Sequence, residues 1–213
     1  MNSKRHSRIK TERGFDRLVN FSDAVVAIAA TLLVLPIVDV ASGVTQGHVD
    51  KTIQEIVPAV LIFIPSFLII TRFWYSHHRF FEGIRSYNGR LVWYNLLWLL
   101  GIVIMPFPTQ LVAKASSSDT LAVTVYLSVM LWIAFCQLLM SIELRVSPEL
   151  IVSGESSDWS LVTSITLCAV VVFALIVGQF WADGGLYALF LLFLVRPISA
   201  PFVKRLSRAR ETT

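Results

Sequence analysis

The sequence predicts an all-α membrane protein with six transmembrane helices per subunit and both termini in the cytoplasm. Three observations predict it. Of the 213 residues, 55% are hydrophobic and only 15% charged, where an ordinary soluble domain carries roughly a quarter charged residues. Windows 91–113, 120–142 and 159–182 hold no Asp, Glu, Lys or Arg, and each is long enough to cross a hydrocarbon core of about 30 Å. Finally, Lys and Arg sort 16 to one side of the spans and 2 to the other, which orients the chain. Together with a mean hydropathy of +0.70, these features argue against a soluble enzyme, a disordered chain and a nucleic-acid-binding domain.

The first span, 18–38, is interrupted only by Asp23. The second, 53–75, has Glu55 near its start and Arg72 near its end. The three charge-free windows are the third, fourth and fifth. A sixth follows the Asp183-Gly184-Gly185 turn and reaches 203 if Arg196 snorkels to the headgroups; the alternative is five spans plus a re-entrant piece. The longest connection is 145–158, so the whole of 1–213 reads as one transmembrane domain with no soluble unit.

The cytoplasmic side collects Lys4, Arg5, Arg8, Lys10, Arg13 and Arg17 in the N-terminal arm. Arg72, Arg79, Arg85 and Arg90 flank the second connection, and Arg145 lies in the fourth. Arg196, Lys204, Arg205, Arg208 and Arg210 fill the tail, leaving Lys51 and Lys114 opposite. The fourth connection is acidic (Glu143, Glu149, Glu155, Asp158), but acidic residues count little in this rule. The basic arm and tail read as topology signals in contact with lipid headgroups, with no nucleic-acid partner implied. A cleaved signal peptide is a poor reading of the first run, which is long, holds Asp23 and precedes further spans. Cys136 and Cys168 have no ligand spacing and read as buried small hydrophobes; no metal or cofactor is implied.

An ionisable group inside a span is costly and points to function. Plotted at 100° per residue, Ile28, Leu32 and Leu35 fall within roughly 40° of one another, with Thr31 beside them and Asp23 roughly 140° from Ile28. The carboxylate and the apolar stripe therefore face different things. Asp23 needs a partner wherever it points. Arg17 is on another face, more than a turn away. Trp74 and His77, at i,i+3 on the second helix, lie at the same depth, and an indole or imidazole N–H donated to Asp23 would satisfy it. The plainer reading of His77-His78 is an interfacial belt of aromatic and basic residues. Asn95, Gln137, Thr163, Ser164, Thr166 and Gln179 read as isolated helix–helix hydrogen-bonding groups. Pro58 and Pro65 in the second span, and Pro106 and Pro108 in the third, are expected to kink their helices. No catalytic constellation, carbonyl filter, voltage-sensor pattern or internal repeat is present.

The string Arg17-x-x-x-Phe21-Ser22-Asp23 near the cytoplasmic end of the first helix resembles the signature of the transmembrane-protein-175 family of potassium-permeable channels, in its short prokaryotic form. Trp74 with His77-His78-Arg79, and Asn95 with Met105-Pro106-Phe107, support the likeness. The resemblance implies a homotetramer around one central pore, lined by the four first helices and constricted by Ile28, Leu32 and Leu35, with Thr31 matching the family's threonine. It also implies that Arg17, Ser22, Asp23, Trp74 and His77 form an organising hydrogen-bond network.

Such an apolar ring gates by dewetting or by widening until partly hydrated ions pass, favouring K⁺ modestly over Na⁺. Asp39, past the stripe, is a candidate for concentrating cations at the outer mouth; a plain helix-end carboxylate is the simpler reading. The main functional expectation is thus a passive K⁺ channel in a bacterial-type cell membrane, with Na⁺ and protons as lesser permeants. The alternative is a proton-conducting or proton-coupled carrier in which Asp23 and His77 titrate. A scaffold or membrane enzyme has no residues in its favour.

Overall fold

A backbone in hydrocarbon must satisfy its own N–H and C=O groups, so long apolar runs fold as helices. The computed structural model describes residues 3–42, 49–115, 119–152 and 157–195. Its helices are α1 (Ser3–Leu32), α2 (Leu35–Ser42), α3 (Val49–Glu82), α4 (Gly89–Ile104), α5 (Pro106–Lys114), α6 (Thr120–Val146), α7 (Ser157–Phe180) and α8 (Ala182–Ala188). Five stretches are long and apolar enough to cross a membrane: Gly14–Ser42, Ile56–Glu82, Gly89–Lys114, Thr120–Val146 and Asp158–Phe180. The chain is a multi-pass, all-helical membrane protein.

The sixth expected span is represented by the shorter apolar piece Ala182–Leu194, α8 followed by a 3₁₀ turn. Its continuation to 203, Arg196 and the basic tail (Lys204, Arg205, Arg208, Arg210) lie outside the described residues, as do the side chains of Lys4, Arg5, Arg8, Lys10 and Arg13 in the arm.

Prolines act differently in different helices. Pro58 and Pro65 sit inside α3 without interrupting it, so the kinks expected there do not break the helix. Pro106 instead opens α5 after a break at Met105, the helix position where a missing N–H costs nothing. The first span breaks as well. Pro36 offers no N–H to the Leu32 carbonyl and its ring crowds the turn before it, so α1 ends at Leu32. The next turn tightens, with Val34 N–H donating to Thr31 O at 3.2 Å, and α2 starts at Leu35. A straight-helix projection of Leu35 onto the Ile28–Leu32 face therefore does not hold, because a two-residue break separates them.

The helices gather around α6, which packs against α4, α5, α7 and α8. Leu127, Met130, Ile133, Ala134 and Met140 of α6 are fully buried. Asp119 caps α6, accepting from Leu121 N–H at 3.1 Å and Ala122 N–H at 3.2 Å. Asn88 caps α4 through Leu91 N–H at 2.9 Å and donates to the buried Glu143 of α6 at 2.7 Å. At the same end, Gly83 and Arg85 pair with Val152 and Leu150 in a single antiparallel bridge (3.0 and 2.9 Å). α1 lies at the edge of this bundle, against α3 and α4. Phe15 stacks there between Phe81 and Tyr87, with ring centroids 5.8 and 6.0 Å away.

Candidate functional site: a polar pin behind an exposed apolar face

Three helices bring polar side chains to one buried point. Ser22 comes from α1, His77 from α3 and Asn95 from α4, and all three are buried. Ser22 Oγ–H donates back to Leu18 O at 2.9 Å, which uses its only proton. It must therefore accept from Asn95 Nδ2, 2.9 Å away. That turns Asn95 Oδ1 toward His77 Nε2 at 2.7 Å, so Nε2 carries the imidazole proton. The chain of donors runs His77 to Asn95 to Ser22 to the Leu18 carbonyl. His77 stacks on Trp98 (ring centroids 4.1 Å apart) and meets Phe81 at a 37° tilt (4.6 Å).

One residue further along α1, Asp23 Oδ1 accepts the indole N–H of Trp74 at 2.8 Å. Trp74 in turn stacks on His78, ring centroids 5.3 Å apart. Of the two donors expected for Asp23, the indole is the one in contact; the imidazole serves Asn95 instead. His77 is only 1% exposed, so it is a core residue rather than part of an interfacial belt. Its burial follows from α3, which runs on to Glu82 and carries His77 in under α4. Arg17 and Phe21 are exposed, and Arg17 forms no hydrogen bond or ion pair with any described side chain.

Sequence reasoning placed Asn95 among isolated polar groups, yet it is the hub that joins α1 to α3. The available signal was its depth, level with Ser22 and His77 in a window free of charge.

This pin fixes which face of α1 looks away from the subunit. Ser22, Val26, Ala29 and Leu33 face inward and are buried. Ile28 is 61%, Leu32 38% and Leu35 44% exposed, and Thr31 is exposed too, its hydroxyl donating to Ile28 O at 2.7 Å. Asp39, on α2, is exposed. Only 17% of the most apolar window of Gly14–Ser42 is buried, against 50% for Thr120–Val146.

The family model described as the endosomal/lysosomal potassium channel TMEM175 matches residues 17–106. Those residues hold every member of the pin. The match covers less than half of the chain, and over that stretch the chain is similar to the TMEM175 family. A TMEM175 homologue from Chamaesiphon minutus, described as a lysosomal potassium-selective channel homologue, superimposes with a TM-score of 0.73 over 88% of this chain and 99% of its own, at 25% identity. A potassium channel of Chryseobacterium sp. (strain P1-3) is 35% identical over 94 residues, which is 44% of this chain and 46% of the relative. The endosomal/lysosomal proton channel TMEM175 of Rattus norvegicus is 30% identical over 96 residues, 45% of this chain and 19% of the rat protein. The chain thus spans less than half the length of these two curated relatives. The TMEM175 match ends at Pro106, where the third span breaks between α4 and α5.

Proposed function

We propose that this chain is one subunit of a potassium-permeable cation channel, with its whole length forming a single channel domain. Four copies surround a central pore in a bacterial-type membrane, with both termini cytoplasmic. The observation that carries the reading is the exposed face of α1, pinned from behind and aimed out of the subunit. A membrane helix that contributes one apolar face with a threonine cannot enclose a conduit alone, so several copies are required. Ile28, Leu32 and Leu35 then form the constriction, Thr31 contributes the one hydroxyl at its level, and Asp39 lies at the outer mouth. Ser22, Asp23, Trp74, His77 and, added here, Asn95 act as positioning residues, with Arg17 and Phe21 beside them. The names of the bacterial relatives and of the solved homologue, all potassium channels, support K⁺ as the permeant ion.

Apolar side chains cannot replace an ion's hydration shell, so such a ring passes ions by widening and wetting. The more easily dehydrated cation crosses first, and discrimination between K⁺ and Na⁺ stays modest. No described residue supplies catalytic chemistry on this face, and the proposed role is not enzymatic. A proton relay is less well supported, although the rat relative is named a proton channel. Asp23 and His77 are bonded to different partners, Trp74 and Asn95, with no direct bond between them.

Liposomes loaded with KCl and diluted into Na⁺ test the proposal, with a proton-sensitive dye inside. Dye signal that appears only after a protonophore is added means K⁺ leaves without protons, the expected result. A signal before the protonophore would transfer the mechanism to the proton alternative. Silence throughout, from intact protein, would overturn both.

A further inference from the structure

The break between α1 and α2 sets backbone oxygens free on the helix that looks out of the subunit. Pro36 has no N–H to give to Leu32 O. Ile37 N–H, which a continuous helix would give to Leu33 O, turns to Val34 O at 3.0 Å, and Val34 N–H goes to Thr31 O. Neither the Leu32 nor the Leu33 carbonyl therefore accepts a backbone N–H among the described residues. Both stand at the C-terminal end of a helix of 30 residues, where aligned peptide dipoles leave a partial negative charge.

Depth gives these oxygens their weight. From Leu18, where the span is expected to enter the hydrocarbon, Leu32 lies about 21 Å along the axis at 1.5 Å per residue, inside a core of about 30 Å. A carbonyl without a donor is costly there, and irregular backbone at that depth persists only where it is buried in protein or lines water. The subunit does not bury it. Only the Leu33 side chain turns inward; Leu32, Val34 and Leu35 are exposed, and α2 has no buried residue. A second copy presenting the same face would bring no donor either. The Thr31 hydroxyl proton is already given to Ile28 O at 2.7 Å, and the exposed Ile28, Leu32 and Leu35 beside it are apolar. What remains to meet the carbonyls is water and the ions in it.

We propose that the Leu32 and Leu33 carbonyls line an oxygen-ligand site for a partly dehydrated monovalent cation, a helical turn beyond Ile28. The inference rests on the channel reading, because several copies are needed to set enough oxygens around one ion. Carbonyl oxygens replace part of a hydration shell, which the apolar side chains of the constriction do not. Divalent cations call for carboxylates, and none lies between Asp23 and Asp39. The ligand class is therefore K⁺ or its close analogue Rb⁺, and not Ca²⁺ or Mg²⁺.

Pro36→Ala tests the site, since it restores a donor for Leu32 O and lets α1 run on into α2. In KCl-loaded liposomes the wild type is expected to conduct and to prefer K⁺ over Na⁺. The variant is expected to conduct still, with that preference lowered at least about twofold. In crystals of the full-length chain grown in RbCl, anomalous density for Rb⁺ is expected level with Leu32 in the wild type and not in the variant. A wild type without K⁺ flux overturns the channel reading and this site with it. A conducting wild type overturns the site alone in any of three cases: Pro36→Ala keeps the full preference, the Rb⁺ density is missing at Leu32, or that density persists in the variant. Should Pro36→Ala fail to fold, the wild-type Rb⁺ density decides by itself.

Discussion

The edge and the centre of the bundle are held in different proportions of packing and polar bonding. At the edge, α1 buries few side chains and depends on directional bonds: Ser22 to Asn95, Asn95 to His77, Asp23 to Trp74. At the centre, hydrogen bonds also join α6 to α7, Ser141 to Ser160 and Ser164 at 2.8 Å and Gln179 to Thr124 at 2.8 Å, but they are added to a close fit of shape. Gly185 and Gly178 bring α8 and α7 so near that a methyl group on Gly185 would lie 2.7 Å from Gly178 Cα and 2.9 Å from Ala174 O. Between lipid tails and apolar side chains there is no hydrophobic gain to drive helices together, so small-residue packing and polar bonds are the two available means. This protein combines both at the centre, and leans chiefly on the second at the edge, where one face of a helix must be aimed.

The contrast can be broken at either pole. Asn95→Leu is the heavier blow, because it leaves the buried His77 Nε2–H without an acceptor and removes the one bond from α4 to Ser22. It should cost about 2–3 kcal/mol, and hydrogen exchange should accelerate in α1 and leave α6 and α7 protected. Equal acceleration in α6 would mean that the pin supports the whole bundle and not the edge alone. Gly185→Ala should cost about 1–3 kcal/mol, since backbone on the other side cannot move out of the way as a side chain can. Its expected signature is the reverse, loosening of α7 and α8 with α1 unchanged. Ile28→Asn should be the mildest for folding, within about 0.5 kcal/mol at an exposed position. It sharpens the contrast by function: under the proposed reading it wets the ring, raises K⁺ flux in liposomes and weakens K⁺ over Na⁺ preference. Unchanged flux would remove Ile28 from the lumen.

The long spans were legible because charge is excluded from hydrocarbon, and 120–142 lies inside the helix Thr120–Val146. Helix ends were less so. The second helix continues past Tyr75 to Glu82, because His77 beyond the apolar run bonds to Asn95 of α4 and His78 and Arg79 pair with Glu82 one turn on, partners that hydropathy does not register. The break after Leu32 was hidden by treating the run to Pro36 as one straight rod. Among site residues, Trp74 was readable as a donor for Asp23 from depth alone. Asn95 was not: it is a single polar residue on another helix, and only the rotation of one helix against another decides which such residues face.

α1 behaves as a cantilever. Its fixed end is the pair Ser22 and Asp23, and Leu32 projects nine residues beyond, about 13.5 Å along the axis at 1.5 Å per residue. A rotation of about 5° at the support moves Leu32 sideways by about 1 Å over that length, and Val26, Ala29 and Leu33, buried on the inward side, must shift with it. In the proposed tetramer four such arms would point at a common axis, and the aperture would be set by two or three hydrogen bonds a helical turn or more away from any ion, together with those three apolar contacts.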